Sequence, residues 1–140
     1  MKVLELFAGS RSFSKVAEDL GYESYCTDIQ SFEKIDQVCS IFDFDVEKML
    51  SEYGRPDIIW ASPPCTTFSV ASVYRHWIRE GDTLTPKSKE AEIGIKIVEK
   101  TIEIIKSLQP KYFYIENPRG MLRKMSVMSD TYFMRNTVWY

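Results

Sequence analysis

Short apolar runs alternate along the chain with segments of helical periodicity. Residues 2–8, 22–29, 58–61, 112–115 and 137–140 are predicted to be strands, and residues 37–44 a weaker one. A short helix is predicted near residues 119–125. Apolar residues recur every three or four positions over residues 13–20, 46–53 and 91–105, which predicts helices. Strands that alternate with helices are typical of an α/β fold, with a mainly parallel sheet and helices on both faces.

Two boundaries around the longest helix follow from proline. Pro86 suits the first helical position, with Thr85 as its cap, and the helix should end before Pro110. Residues 66–85 show little regular pattern and are predicted to form a long loop, of the kind that often acts as a lid. His76, the only histidine, is assigned no role, since a lone histidine beside a tryptophan is usually a packing residue.

Composition sets limits on function. The 140 residues are expected to form one domain, residues 1–140, and a net charge of −2 gives no overall basic field for nucleic acid. Cys26, Cys39 and Cys65 are odd in number and lack metal-ligand spacing, so no metal site is expected and the thiols are expected to be reduced in a cytoplasm. No apolar run is long enough for a membrane span, so no membrane partner is expected.

One cysteine follows a buried strand directly. The apolar run 58–61 is followed by Ser62, Pro63, Pro64 and Cys65, and prolines cannot continue a sheet ladder. In parallel α/β sheets ligands bind at the carboxyl ends of the strands, which places this thiol at a candidate site. The alternative is that Cys65 is only a small buried hydrophobe.

A glycine turn follows the first strand. Strand, Gly9 and helix form the first unit of a nucleotide-binding α/β fold, although a lone glycine is weak evidence. Asp28, at the end of the second strand, comes 19 residues after Gly9, a spacing that suits hydrogen bonds to ribose hydroxyls. The alternative is that Asp28 caps the next turn.

Three short strings resemble motifs of the DNA cytosine methyltransferases, which methylate carbon 5 of cytosine. They are Leu6-Phe7-Ala8-Gly9, Pro63-Pro64-Cys65 with Phe68-Ser69, and Glu116-Asn117. The chain departs from the family at Ser10, Arg11 and Ser12, where more glycine is usual, and at Pro118, where valine is usual. The resemblance covers the whole chain, and it corresponds to the N-terminal half of the family's catalytic domain without its target-recognition region.

The resemblance implies a Rossmann-like S-adenosylmethionine-dependent methyltransferase fold that is incomplete at its C-terminal end. It implies that Cys65 is the nucleophile that adds to carbon 6 of cytosine and that Glu116 acts at ring nitrogen 3. Residues implied to bind S-adenosylmethionine are Phe7, Ala8, Gly9, Ser10, Asp28, Ile29, Asp43, Ser62 and Pro63.

Two assignments stay open within this resemblance. Asp43, Asp45 or Ser40 could align with the family's adenine-binding aspartate; Asp43 is preferred, because Asp45 suits the cap of the following helix. Candidate phosphate contacts are Arg119, Arg123 and Lys124, although a solvated helix face is an equal alternative.

The leading hypothesis is a DNA cytosine methyltransferase region of phage or prokaryotic type. Its partner is DNA, which this chain alone is expected to bind weakly or not at all. A partial or inactive module that needs a second chain or a further C-terminal segment is the first alternative, and an RNA cytosine methyltransferase is the second. A dehydrogenase is disfavoured, because the further glycines of the dinucleotide fingerprint are missing after Gly9.

Overall fold

A computed structural model describes residues 1–81, 83–118, 120 and 122. Its centre is a five-stranded sheet in the order β3-β2-β1-β4-β7, and every neighbouring pair is parallel. The α/β fold with a mainly parallel sheet is therefore confirmed. The strands of this sheet are β1 Lys2–Leu6, β2 Glu23–Asp28, β3 Gln37–Val38, β4 Ile58–Ala61 and β7 Tyr112–Ile115.

Alternate residues of the strands face two different sets of helices. Leu4 and Leu6 of β1 lie in the main hydrophobic core, which also contains Ile102 and Ile105 of the long helix. On the opposite face the helix Ser12–Asp19 packs against β1 and β2, and its Phe13 stacks on Trp60 of β4 at 4.7 Å between ring centroids. The helices are α1 Ser12–Asp19, α2 Val46–Glu52, α3 Val73–His76 and α4 Lys89–Leu108.

The ends of the helices explain where the chain turns. Asp45 Oδ1 accepts the Lys48 N–H at 2.9 Å, which confirms the predicted helix cap. Gly21 and Gly54 follow α1 and α2 with φ of +80° and +90°, conformations that glycine adopts readily. Val16 and Leu20 keep helical spacing on α1 but are 59% and 68% exposed, because α1 packs on the sheet through Ser14 and Ala17.

Residues 66–85 are more regular than predicted. They contain α3 and a two-stranded antiparallel hairpin, β5 Trp77–Glu80 and β6 Thr83–Pro86. In β5 only Trp77 is buried, and its indole N–H donates to the Thr67 carbonyl at 2.7 Å. The prediction of an irregular loop was wrong because this mostly exposed hairpin lacks the alternation of apolar residues that marks a half-buried strand.

Two further boundaries differ from the prediction. Pro86 ends β6, and α4 begins after Ser88, whose hydroxyl accepts the Ala91 N–H at 3.2 Å. Proline is tolerated there because β6 is an edge strand. The predicted third strand is only two residues long, and Ile41–Asp43 form a 3-10 helix instead.

Some predictions fall beyond the part of the chain that the structure describes. These are the strand at residues 137–140, the short helix near residues 119–125 and the phosphate contacts of Arg119, Arg123 and Lys124. Within the described residues, every helix is too short or too polar to cross a membrane.

Candidate active site and cofactor cavity

The predicted site residues follow strands that end at one edge of the sheet. Beyond the last ladder pairs, the Ala8 N–H bonds to the Thr27 carbonyl at 3.0 Å, and the Ser62 N–H to the Leu6 carbonyl at 3.3 Å. The Glu116 N–H bonds to the Ala61 carbonyl at 2.8 Å. The turns after β1, β2, β4 and β7 therefore lie side by side along the carboxyl edge, as the sequence predicted.

The turn after β1 has an unusual backbone. Phe7, Gly9 and Arg11 have φ of +61°, +50° and +60°, so alternate residues adopt the left-handed conformation. This conformation is disfavoured for side chains such as phenylalanine and concentrates at functional sites. The Gly9 N–H donates to Asp28 Oδ2 at 2.9 Å, which links the glycine turn directly to the end of β2.

A buried glutamate that the sequence analysis did not single out supports this turn. Glu5 is 2% exposed, and its carboxylate accepts the backbone N–H groups of Ser14 at 2.8 Å and Phe13 at 3.3 Å. It thereby occupies free donors at the start of α1. The available signal was a charged residue between two leucines in an apolar strand.

Arg11, which the sequence marks only as a departure from the family, is buried behind the turn. Its guanidinium pairs with Glu18, and its Nε donates to Cys26 Sγ at 3.3 Å. Burial raises the pKa of the Cys26 thiol, although hydrogen bonds from Ser14 and Arg11 oppose the shift. Cys26 is therefore a buried thiol with a structural role. Arg11 occupies a position in the turn where the methyltransferases usually have glycine.

A cavity of about 340 Å³ opens between the turns after β1, β2 and β4. Four predicted cofactor residues line it: Phe7, Asp28, Ile29 and Ser62. The remaining lining residues are Thr27, Cys39, Ser40, Ile41, Pro64 and Ile97.

The other predicted cofactor residues lie around this cavity rather than in its wall. Ala8 is buried, and Pro63 is buried next to Pro64. Gly9 and Ser10 line a neighbouring cavity of about 270 Å³. Asp43 is exposed on the 3-10 helix and does not line either cavity, whereas its alternative Ser40 does line the larger one.

The larger cavity fits a nucleoside. Its volume is within the usual range for small-molecule sites, and one wall is apolar, with Phe7, Ile41 and Ile97. Asp28 accepts backbone N–H groups of Gly9 and Gln30, both at 2.9 Å, and a carboxylate has acceptor capacity left for ribose hydroxyls. The residues present therefore suit the adenosine part of S-adenosylmethionine.

Cys65 begins a tight turn whose far end is anchored in the core. Its carbonyl accepts the N–H groups of Phe68 at 3.0 Å and Ser69 at 3.1 Å. Phe68 is fully buried against α4, where a Cβ on Gly94 would lie 3.1 Å from its ring. The Cys65 thiol is half-buried, while Cys26 is completely buried.

The turn after β7 lies against this Cys65 turn. Glu116 is exposed, and the next residue, Asn117, donates from Nδ2 to the Pro63 carbonyl at 3.1 Å. Gly120 forms an isolated antiparallel bridge with Ser69. Two backbone turns in direct contact thus carry the Cys65 thiol and the Glu116 carboxyl group.

His76 has a structural contact. Its Nδ1 lies 2.7 Å from the Ser88 hydroxyl, so it connects α3 to the cap of α4. Among the described residues, no group of three or more His, Cys, Asp or Glu side chains is placed to hold a metal ion.

Comparison with known proteins bears on this geometry. The family model for C-5 cytosine-specific DNA methylases matches residues 1–130. The chain belongs to this family. The match spans both the glycine turn and the Pro-Pro-Cys turn, so the predicted resemblance is confirmed.

Two curated relatives of the methylase family are similar to the chain. A probable DNA (cytosine-5)-methyltransferase of Frog virus 3 (isolate Goorha) is 32% identical over 84% of the chain and 54% of the relative. The type II methyltransferase M.FnuDI of Fusobacterium nucleatum is 30% identical over 89% of the chain and 34% of the relative. The chain thus matches about half of the first relative and about a third of the second.

Proposed function

We propose that the chain takes part in S-adenosylmethionine-dependent methylation of carbon 5 of cytosine in DNA, with Cys65 as the nucleophile. The observation that carries this proposal is the shared wall of the site. Ser62 and Pro64, which belong to the turn that holds Cys65, also line the nucleoside-sized cavity. A bound methyl donor and the thiol would therefore be neighbours along one edge of the sheet.

The cavity residues would hold the cofactor. Asp28 would accept the ribose hydroxyls, Phe7 and Ile29 would contact the adenine, and Ser40 is a polar side chain of the same cavity wall. When bound, S-adenosylmethionine supplies an electrophilic methyl group on a sulfonium. The left-handed backbone at Phe7 and Gly9 shapes the turn against which it lies.

Cys65 and Glu116 act on the base. Carbon 5 of cytosine is a weak nucleophile until the Cys65 thiolate adds to carbon 6, which turns the ring into an enamine. The addition places negative charge on ring nitrogen 3, where the Glu116 carboxyl group donates a proton or a hydrogen bond. Once carbon 5 has received the methyl group, loss of its proton and elimination of the Cys65 sulfur would restore the aromatic ring as 5-methylcytosine. The target base must leave the duplex to reach the thiol.

A second candidate is a partial module that binds the cofactor but transfers a methyl group only together with a further segment or chain. The observation that favours it is the limited share of the relatives, 54% and 34%, that the chain spans. Target recognition, which depends on contacts to base edges, would then depend on that other segment.

A tritium-transfer assay tests the proposal. The chain is incubated with methyl-labelled S-adenosylmethionine and cytosine-containing duplex DNA, and cofactor binding is measured separately by calorimetry. If the chain suffices by itself, label should appear in 5-methylcytosine for the wild type and not for Cys65→Ser; in either case the cofactor affinities of the two should be equal within about twofold, since the thiol acts on the base.

The outcomes separate the two candidates. Cofactor binding without transfer, with transfer restored by the remaining part of a relative's catalytic domain, would establish the partial module. Transfer by Cys65→Ser at the wild-type rate would overturn the assigned chemistry. Absence of cofactor binding would overturn both candidates.

A further inference from the structure

The turns after β4 and β7 are joined by contacts between residues far apart in the sequence. The Asn117 amide bonds to the Pro63 carbonyl across 54 positions, and the Ser69–Gly120 bridge joins the far ends of the same two turns. Gly120 lies so close that an added Cβ would be 1.9 Å from the Phe68 carbonyl oxygen. The Cys65 turn and the Glu116 turn therefore form one unit.

Within this unit Asn117 has a particular place. Pro63 and Pro64 have fixed φ angles, so a hydrogen bond to the Pro63 carbonyl restrains the backbone two residues before the Cys65 thiol. Asn117 is also the direct neighbour of Glu116. A single side chain thus connects the stretch that carries the thiol to the stretch that carries the carboxyl group.

The oxygen of the Asn117 amide, Oδ1, indicates a functional role rather than a contribution to stability. Its Oδ1 is the buried side-chain acceptor that has no hydrogen-bond partner among the described residues. A buried unpaired acceptor costs free energy, and a residue selected only for stability would not carry one. Such groups are expected where geometry matters more than stability.

We propose that Asn117 is a positioning residue, whose Nδ2 bond to the Pro63 carbonyl sets the location of the Cys65 thiol relative to the Glu116 carboxyl group. Its importance for catalysis rests on the function proposed above. Its effect on the Cys65 turn does not, and this allows the two to be tested separately.

The first test measures alkylation of each thiol by iodoacetamide in the 140-residue chain, with sites resolved by mass spectrometry. Asn117→Asp replaces the donor with a second acceptor oxygen and a negative charge, and Asn117→Ala removes the whole amide. Both variants should raise the alkylation rate of Cys65 by about fivefold, the factor expected for the loss of one hydrogen bond that restrains the turn. Cys26, which is 0% exposed, should remain unreactive and so report that the fold is intact.

A matched control lies away from both turns. Ser107→Ala, near the end of α4, removes a hydroxyl that donates to the Ile104 carbonyl at 2.8 Å. Cys65 reactivity in this variant should equal that of the wild type. The proposal is wrong if Asn117→Ala leaves Cys65 at the wild-type rate, or if Ser107→Ala accelerates it as much as the Asn117 variants do.

The second test uses methyl transfer. A misplaced nucleophile should lower kcat by about tenfold to a hundredfold in Asn117→Asp, with the KM for S-adenosylmethionine unchanged. If the wild type transfers methyl groups and the variant matches it, the catalytic part of the inference fails while the proposed function stands. If the wild type transfers none even after the remaining part of a relative's catalytic domain is added, the proposed function fails, and the alkylation result alone decides whether Asn117 positions the turn.

Discussion

The two halves of the carboxyl edge are built from different kinds of contact. In the cofactor half, the links join residues near one another in the sequence: Gly9 to Asp28, 19 positions apart, and Glu5 to Ser14, 9 positions apart. In the half that carries Cys65 and Glu116, the Asn117–Pro63 bond spans 54 positions. The two links of the first half form within one β-α-β unit, although Ser62 and Pro64 also line its cavity, whereas the link of the second half forms only when β4 and β7 pair.

This difference predicts that the two halves can be damaged independently. Substitutions in the first half should change cofactor affinity or stability and leave the reactivity of Cys65 unaltered. Substitutions in the second half should change chemistry on the base and leave cofactor binding unaltered. The following four experiments probe this separation.

The largest effect is expected at Glu116. Glu116→Gln keeps the shape of the side chain but removes the carboxyl group that assists at ring nitrogen 3. Methyl transfer should slow by about 10² to 10⁴, the usual contribution of general acid–base assistance, with cofactor affinity unchanged. Glu99→Gln, an exposed change on α4, is the control and should match the wild type in both measurements.

A smaller effect in the other half is expected at Asp28. Asp28→Ala removes the ribose acceptor and the partner of the Gly9 N–H, so S-adenosylmethionine affinity should fall by about tenfold to a hundredfold in calorimetry. Alkylation of Cys65 should proceed at the wild-type rate, as should both properties in the exposed control Asp19→Ala. A change in Cys65 reactivity in Asp28→Ala would mean that the halves are coupled.

Glu5 tests whether the first half depends on its internal support. Glu5→Ala leaves the N–H groups of Ser14 and Phe13 without their carboxylate, which should lower the free energy of unfolding by about 2 kcal/mol in urea. Glu5→Gln, which keeps one acceptor oxygen, should cost less. The exposed neighbour Glu23→Ala should be nearly neutral, and an equal loss there would remove the special role given to Glu5.

The smallest effect at neutral pH concerns two weak acids on β2, Tyr25 and Cys26, and Tyr53, whose hydroxyl bonds to β1. Burial raises the pKa of Cys26, Tyr25 and Tyr53 above their ordinary values of 9.0, 10.0 and 10.0. The folded state therefore holds these protons more tightly, and the stabilisation is complete below pH 9 and is lost as the pH rises further. Urea unfolding from pH 7 to pH 11 should show this decline, with a shallower slope for Cys26→Ser and an unchanged slope for the exposed control Ser51→Ala.

Much of the fold could be predicted because its signals are local. The strands 58–61 and 112–115 have the predicted bounds, since each is a run of apolar residues that ends in proline or a polar residue. The parallel pairing of the sheet was also predictable, because strands alternate with helices along the chain. The β5–β6 hairpin was not predicted, because Trp77 is its only buried residue in β5 and one residue makes no pattern.

The site was less predictable for a physical reason. Nothing in the local pattern indicates that Phe7 adopts a positive φ or that Asn117 bonds to Pro63, because both depend on neighbours brought in by the sheet. The resemblance to the methylase family supplied the roles of Cys65 and Glu116, which spacing alone would not have done. The preference for Asp43 over Ser40 did not take into account the 3-10 helix Ile41–Asp43. This helix places Asp43 outside the cavity wall.

The most direct test of the central claim is covalent trapping on duplex DNA that contains 5-fluorocytosine, whose fluorine blocks release of the enzyme from carbon 6. With S-adenosylmethionine present and DNA in excess, the account predicts a stable adduct that peptide mapping assigns to Cys65. Cys65→Ser should give none, and Asn117→Asp should give it more slowly. An adduct at Cys26 or Cys39, or trapping by Cys65→Ser at the wild-type rate, would contradict the account.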